Sequence, residues 1–188
     1  MFSKEGFIEA CGVAVKEGQA AVRELVQEAV SDPNGIIKEL GEPKKAGIDL
    51  LHRSDDLTVI NFIWSPYMTL IPHNHNMFAV IGLYNGREDN VFWKKTDDGL
   101  EAAGADSLGT GQVATLGHSI IHSVTNPLGK FTSAIHVYGG DFFEPDEPRS
   151  EWDHETLKER PWDVETTRKC FAEAEERYLA GLAAHAAE

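Results

Sequence analysis

The chain has 188 residues, 41% of them hydrophobic, which is enough for a sizeable core, and its formal charge of −14 repels phosphate backbones and anionic lipid surfaces. Nucleic-acid and membrane binding are therefore not expected. Cys11 and Cys170 fall near opposite ends within helical patterns, which implies free thiols and a reducing compartment; no apolar run approaches the ~20 residues of a bilayer crossing and no secretory signal is visible, so the expectation is one domain in the cytoplasm.

Residues 1–45 read as helical. Phe7, Ile8, Cys11 and Val15, then Ala21, Val22, Leu25, Val26 and Ala29, recur at helical steps, with Ser3 placed to start the run. One helix, or two broken near Gly18, fits this pattern. Asp32-Pro33-Asn34-Gly35 stops it, and Ile36 to Leu40 allows a further short turn of helix. From about residue 46 the hydrophobic period falls to that of strands. Leu57 to Trp64 is rich in β-branched and aromatic residues and is turned by Ser65-Pro66-Tyr67-Met68. A histidine-bearing strand follows from Pro72 through Leu83. Asn85-Gly86 signals a two-residue hairpin, from which Val91 to Lys95 returns. Further strands are expected over 100–103, 112–116, 120–124 and 132–138. Short strands at this density after a helical start predict a mainly β fold, a double-stranded β-helix or jelly-roll barrel over 46–145, with helices at both ends. In the tail, 146–188, Trp152 and Trp162 are expected on the outside of the barrel, and 163–184 forms a helix capped by Asp163. Its stripe of Phe171, Ala174, Tyr178 and Leu182 serves as core or subunit contact, which allows a homodimer.

The chemistry gathers around the histidines. Alternate residues of a strand share a face, so His73 and His75 point the same way, and a fold that brings His122 to the same point makes a three-imidazole site for a divalent metal. Neutral imidazole suits zinc, copper, iron or nickel. Glu88 lies in the polar cluster Arg87-Glu88-Asp89-Asn90. If Asn85-Gly86 is a hairpin, Glu88 stands opposite Leu83, roughly 26 Å from His75 at about 3.3 Å per residue, and the cluster is a solvated turn or a subunit contact.

His73-Asn74-His75, the glycine turn at Gly86 and His122 near Asn126 resemble the two histidine motifs of the cupin superfamily. The glutamate usual shortly after the second histidine is absent, with Ala79 and Val80 standing where it would fall. This resembles the three-histidine branch of cysteine dioxygenase-like thiol dioxygenases. Ala134-Ile135-His136-Val137-Tyr138 is similar to the strand on which that branch carries a Ser-x-His-x-Tyr set, with Ala134 in the place of the serine. The likeness covers roughly residues 45 to 145 and is nearest to bacterial proteins described only as predicted metal-dependent members of the double-stranded β-helix superfamily. The resemblance implies Fe(II), with Zn, Ni and Mn as alternatives, on His73, His75 and His122. It implies catalytic roles for Tyr138 and His136, and a small thiol oxidised by dioxygen to a sulfinic acid. Arg53 is the approximate counterpart of the family's substrate-carboxylate arginine, either as an anion clamp or as an exposed loop residue. The position of the family's crosslinking cysteine falls near Val80, so no such crosslink forms. The other reading is a metal-binding cupin without oxygenase activity, either a zinc-type hydrolase or isomerase or a small-molecule sensor.

Overall fold

In the computed structural model, which describes residues 2–186, the N-terminal helical pattern divides at Gly18. Its φ of 104° is open to glycine, and the chain breaks there between α1 (Lys4–Glu17) and α2 (Gln19–Val30). The Ser3 hydroxyl accepts the Gly6 N–H at 3.4 Å to start α1. Asp32 starts a third helix: its carboxylate accepts the Gly35 N–H at 3.0 Å, and Pro33 opens α3 (Pro33–Leu40).

The strands form two antiparallel sheets. The first orders β1 (Gly47–Arg53), β2 (Thr58–Trp64), β9 (Thr132–Tyr138), β4 (Ala79–Asn85) and β7 (Val113–Leu116). The second orders β11 (Glu159–Pro161), β10 (Ser150–Trp152), β3 (Thr69–Asn74), β8 (Ile121–Thr125), β5 (Arg87–Thr96) and β6 (Gly99–Gly109). Between β2 and β9 the chain passes from sheet to sheet at every connection except β5 to β6, which is the wrap of a jelly roll. The fold is mainly β with helices at both ends, as the patterning predicts.

Two expected elements are corrected. The stretch from Pro72 to Leu83 is two strands in opposite sheets, because β3 ends at Asn74 and Asn76 takes a φ of 52° before β4 begins. Asn85-Gly86 is a corner, with β4 in one sheet and β5 in the other. Gly86 has a φ of 86°, and a Cβ there would stand 2.3 Å from the Thr132 hydroxyl, so the turn residue serves a change of sheet. In consequence β5 pairs with β8, setting Asn90 opposite Val124 and Phe92 opposite His122. Glu88 and Asn90 are therefore buried, and the expectation of a solvated turn is overturned.

The helices of the N-terminal segment cover the outer face of the first sheet. Val22, Val26 and Val30 of α2 pack with Val59, Val80, Tyr84, Ile135 and Val137. At Gly82 the two layers touch so closely that a Cβ would stand 2.4 Å from Val26 Cγ1 and 2.7 Å from Val30 Cγ1. Valine in a helix holds one preferred rotamer and gives little way. Gly82→Val is expected to push α2 off the sheet and cost about 1–3 kcal/mol, seen as a lower urea midpoint at unchanged slope.

The tail holds β10 and β11 as well as the expected helix. Trp152 packs with Leu100 and Ile121. The Asp163 carboxylate accepts the Glu165 N–H at 3.1 Å ahead of α4 (Val164–Ala186), whose Phe171 and Ala174 enter the core between the sheets. Leu182 is exposed. Cys11 and Cys170 are free, and no helix among the described residues is long and apolar enough to cross a membrane.

Candidate metal centre

The centre begins with an irregularity in β3. Leu70 pairs with Val124 and His73 with His122, so Ile71 and Pro72 together face Ser123 alone. This is a β-bulge, and Pro72 has no N–H to lose from the ladder. A regular strand would put Leu70 and His73 on opposite faces; the bulge turns both into the barrel, where they line one cavity. The Ile71 carbonyl at the bulge lies 2.9 Å from His73 Nδ1. A carbonyl can only accept, so Nδ1 carries the hydrogen and Nε2 presents a lone pair.

His75 sits just past β3, in the turn that crosses to the other sheet, and His122 enters from β8. One ligand nitrogen of each of the three rings lies within 4.8 Å of the others, and His122 Nε2 is 3.5 Å from His75 Nε2. Metal–nitrogen bonds of about 2.1 Å set ligand atoms about 3.0–3.4 Å apart, so the cluster closes on an ion with small movements. The donor set itself fits: all three rings are buried, and burial drives their pKa values down, His73 to about 4 and the other two well below the ordinary imidazole value. Neutral rings are the form that binds metal. No carboxylate belongs to this group among the described residues.

His122 is held from behind by β5. Its Nδ1 is 2.7 Å from Asn90 Oδ1, while Asn90 Nδ2 donates to Glu88 Oε1 at 3.0 Å. The amide is thereby oriented, His122 Nδ1–H donates to it, and Nε2 is left for the metal. Removing this support in Asn90→Ala is expected to weaken metal binding about 10- to 100-fold, measured by competition with a chromophoric chelator.

On β9, His136 Nδ1 lies 3.0 Å from the Tyr138 hydroxyl, and Tyr138 packs edge-on against His75 at 5.1 Å between ring centres. Burial lowers His136 to about 3 and raises the Tyr138 phenol, so the first is neutral and the second keeps its proton. The other nitrogen of His136, Nε2, has no hydrogen-bond partner and stands 3.9 Å from Glu88 Oε2, which also lacks one.

Arg53 does not line this cavity. It lies at the end of β1, bonded to Asp141 at 2.9 Å and 2.8 Å and to Glu144 at 3.2 Å, and these carboxylates satisfy the charge expected to clamp an anion. A different arginine reaches the site. Arg149, 4% exposed, precedes β10; its Nε donates to the Asn74 carbonyl and its Nη1 to the Phe142 carbonyl, each at 2.9 Å. The guanidinium carbon lies 4.2 Å from the Phe142 ring centre and 3.9 Å from the Trp162 ring centre, in the corner made by two rings that meet edge to face, and Nη2 has no partner. Trp162, expected on the outside of the barrel, is thus part of the cavity wall. Burial lowers Arg149 to about 9, which leaves it charged at neutral pH. The space these side chains enclose is about 10 Å³, room for one water.

Sequence reasoning missed Asn90, Glu88 and Arg149. Glu88, Asn90 and Phe92 do alternate along one strand face, a signal masked by the assumed hairpin. Arg149 ends the irregular run Pro145-Asp146-Glu147-Pro148-Arg149, where no periodicity marks it.

The barrel has cupin-like neighbours of known structure. An RmlC-like cupin family protein with a double-stranded β-helix fold from Methanocaldococcus jannaschii is 9% identical, covering 53% of this chain and 84% of its own, with a TM-score of 0.45. An uncharacterized conserved protein with a double-stranded β-helix domain from Klebsiella pneumoniae is 11% identical, covering 60% and 88%, with a TM-score of 0.46. Oxalate decarboxylase from Bacillus subtilis is 16% identical over 52% of this chain and 24% of its own, with a TM-score of 0.42. No family model matches the sequence, and no curated protein does. The chemistry is read from this chain's own residues.

Proposed function

We propose that the protein is a non-haem iron dioxygenase that oxidises the sulfur of a small thiol acid to a sulfinic acid, with His73, His75 and His122 as iron ligands. The observation that carries this reading is an all-imidazole donor set sharing one cavity with an arginine whose Nη2 is free. When bound, ferrous iron supplies open positions, a charge that favours thiolate over thiol, and the redox capacity to join sulfur with dioxygen. In the overall change R–SH and O2 give R–SO2H, so both oxygen atoms end on sulfur. The rest is done by side chains. Arg149 pairs with the carboxylate of the thiol acid through Nη2, and Phe142 and Trp162 hold the guanidinium plane in place. Tyr138 hydrogen-bonds the reacting molecule, with His136 fixing the direction of its hydroxyl. Since the cavity holds only about one water, admitting a thiol acid requires side chains of its wall to move apart.

Oxygen uptake by the iron-loaded protein with cysteine, mercaptopropionate and cysteamine tests the proposal. Uptake with the carboxylate-bearing thiols, matched by sulfinate formation, is expected; silence with all three removes it. A zinc-type hydrolase is the second reading, and the observation in its favour is that a carboxyl, Glu88, stands two hydrogen bonds from His122. Tightly held zinc in protein purified without added metal would favour that alternative.

A further inference from the structure

Three neighbouring buried polar atoms lack hydrogen-bond partners: Glu88 Oε2, His136 Nε2 and Trp64 Nε1. They come from β5, β9 and β2, and they meet at one carboxyl. Glu88 Oε2 is 3.9 Å from His136 Nε2, and the Trp64 indole N–H lies against the same carboxyl. The other carboxyl oxygen is already used by Asn90. Leaving such groups unpaired in a dry interior is costly, and a shift of about 1 Å closes the Glu88–His136 contact to hydrogen-bond length.

We infer that Glu88 is a positioning residue for the proposed reaction: through the two nitrogens of His136 it sets whether Tyr138 donates or accepts a hydrogen bond beside the three histidines. The neutral His136 ring carries one hydrogen. An ionised Glu88 can only accept, so it draws that hydrogen to Nε2; Nδ1 is then a lone pair, and the Tyr138 hydroxyl spends its proton on it. A protonated Glu88 donates to Nε2 instead, the ring hydrogen moves to Nδ1 and donates to the Tyr138 oxygen, and the tyrosine proton is freed to point into the cavity. Passing from the second state to the first releases one proton to solvent, relocates the imidazole hydrogen and rotates the phenol O–H.

The groups around Glu88 decide where this happens. Asn90 and Trp64 are neutral donors, His136 is neutral, Tyr138 keeps its proton, and Asp89 on the far face of β5 is paired with Arg87. Among the described residues no cation faces the carboxyl, and burial raises Glu88 to about 7, within the working range of a cell.

The inference rests on Tyr138 facing the reacting molecule, but its test needs neither metal nor turnover. In metal-free protein labelled with nitrogen-15 in histidine, long-range proton–nitrogen spectra report which nitrogen of each ring bears hydrogen. Between pH 5.5 and 8.5, His136 is expected to pass from the Nδ1–H to the Nε2–H form, in step with the carbon-13 shift of the Glu88 carboxyl. In Glu88→Gln it is expected to hold one form throughout. A His136 tautomer that stays constant while the Glu88 carboxyl titrates, or that changes identically in Glu88→Gln, overturns the inference. If the variant does not fold, the paired carbon and nitrogen titrations of the unaltered protein decide alone. An oxygen-uptake failure with this tautomer change intact would count against the dioxygenase reading only.

Discussion

Arg149→Met is expected to lower kcat/KM for carboxylate-bearing thiols about a hundredfold, while a carboxylate-free aminothiol such as cysteamine is turned over as well as before or better. The guanidinium is buried, keeps its charge, and holds one N–H pair, at Nη2, without a protein partner. A substrate carboxylate placed there replaces an uncompensated charge by a desolvated ion pair, an exchange worth roughly 3 kcal/mol or more. By the same logic a thiol without a carboxylate gains nothing from Arg149 and must leave it unpaired. Methionine fills similar length between Phe142 and Trp162 without the charge. The variant also loses bonds to the carbonyls of Asn74 and Phe142, so thermal unfolding must be followed beside the kinetics. Equal losses for both thiol classes, or none, would show that Arg149 only closes the barrel.

Much of the barrel was legible because strands were short, β-rich and well punctuated. Leu57 to Trp64 and 132–138 fall within a residue of β2 and β9. β1 was not marked as a strand, because its exposed and half-buried residues lack the alternation that reveals a one-sided strand. The errors that mattered were two changes of sheet. Nothing in the pattern from His73 to Leu83 marks the change of sheet, since β3 and β4 are both largely buried and the crossing at Asn76 costs only a single positive φ. Asn85-Gly86 supplies positive φ equally well to a hairpin or to a corner, and only the pairing of β5 with β8 distinguishes them. The mistaken hairpin carried Glu88 far from the histidines, when the fold places it two hydrogen bonds from His122. His73, His75 and His122 could be read early because clustered imidazoles of one chain are few and their strand parity is informative. Arg149 could not, because its position depends on a loop tied to the histidine turn by Asn76 Nδ2 donating to the Pro148 carbonyl at 2.8 Å and by the Ser150 N–H donating to Asn74 Oδ1 at 2.7 Å. Such ties are long-range and leave no local pattern.

Glu88→Gln is expected to make the protein more stable at alkaline pH, by roughly 3 kcal/mol at pH 8, with no gain at pH 4.5. The carboxyl is wholly buried, and burial raises its pKa from an ordinary 4.5 to about 7, against the smaller opposing pull of the hydrogen bond from Asn90 and the nearby Trp64 indole N–H. Between these values the folded chain holds a proton that the unfolded chain has released. Unfolding therefore becomes easier as pH rises through this window, and the loss is complete above about pH 7. Glutamine keeps the shape and the acceptor for Asn90 but carries no charge to desolvate. Urea unfolding of metal-free protein at half-unit steps from pH 4.5 to 8.5 measures the difference directly, without requiring any activity. The two stability curves should coincide at the acid end and diverge as pH rises. Parallel curves would mean that Glu88 ionises in the fold as freely as in water, and the protonated carboxyl on which the Tyr138 switch depends would then be absent at neutral pH.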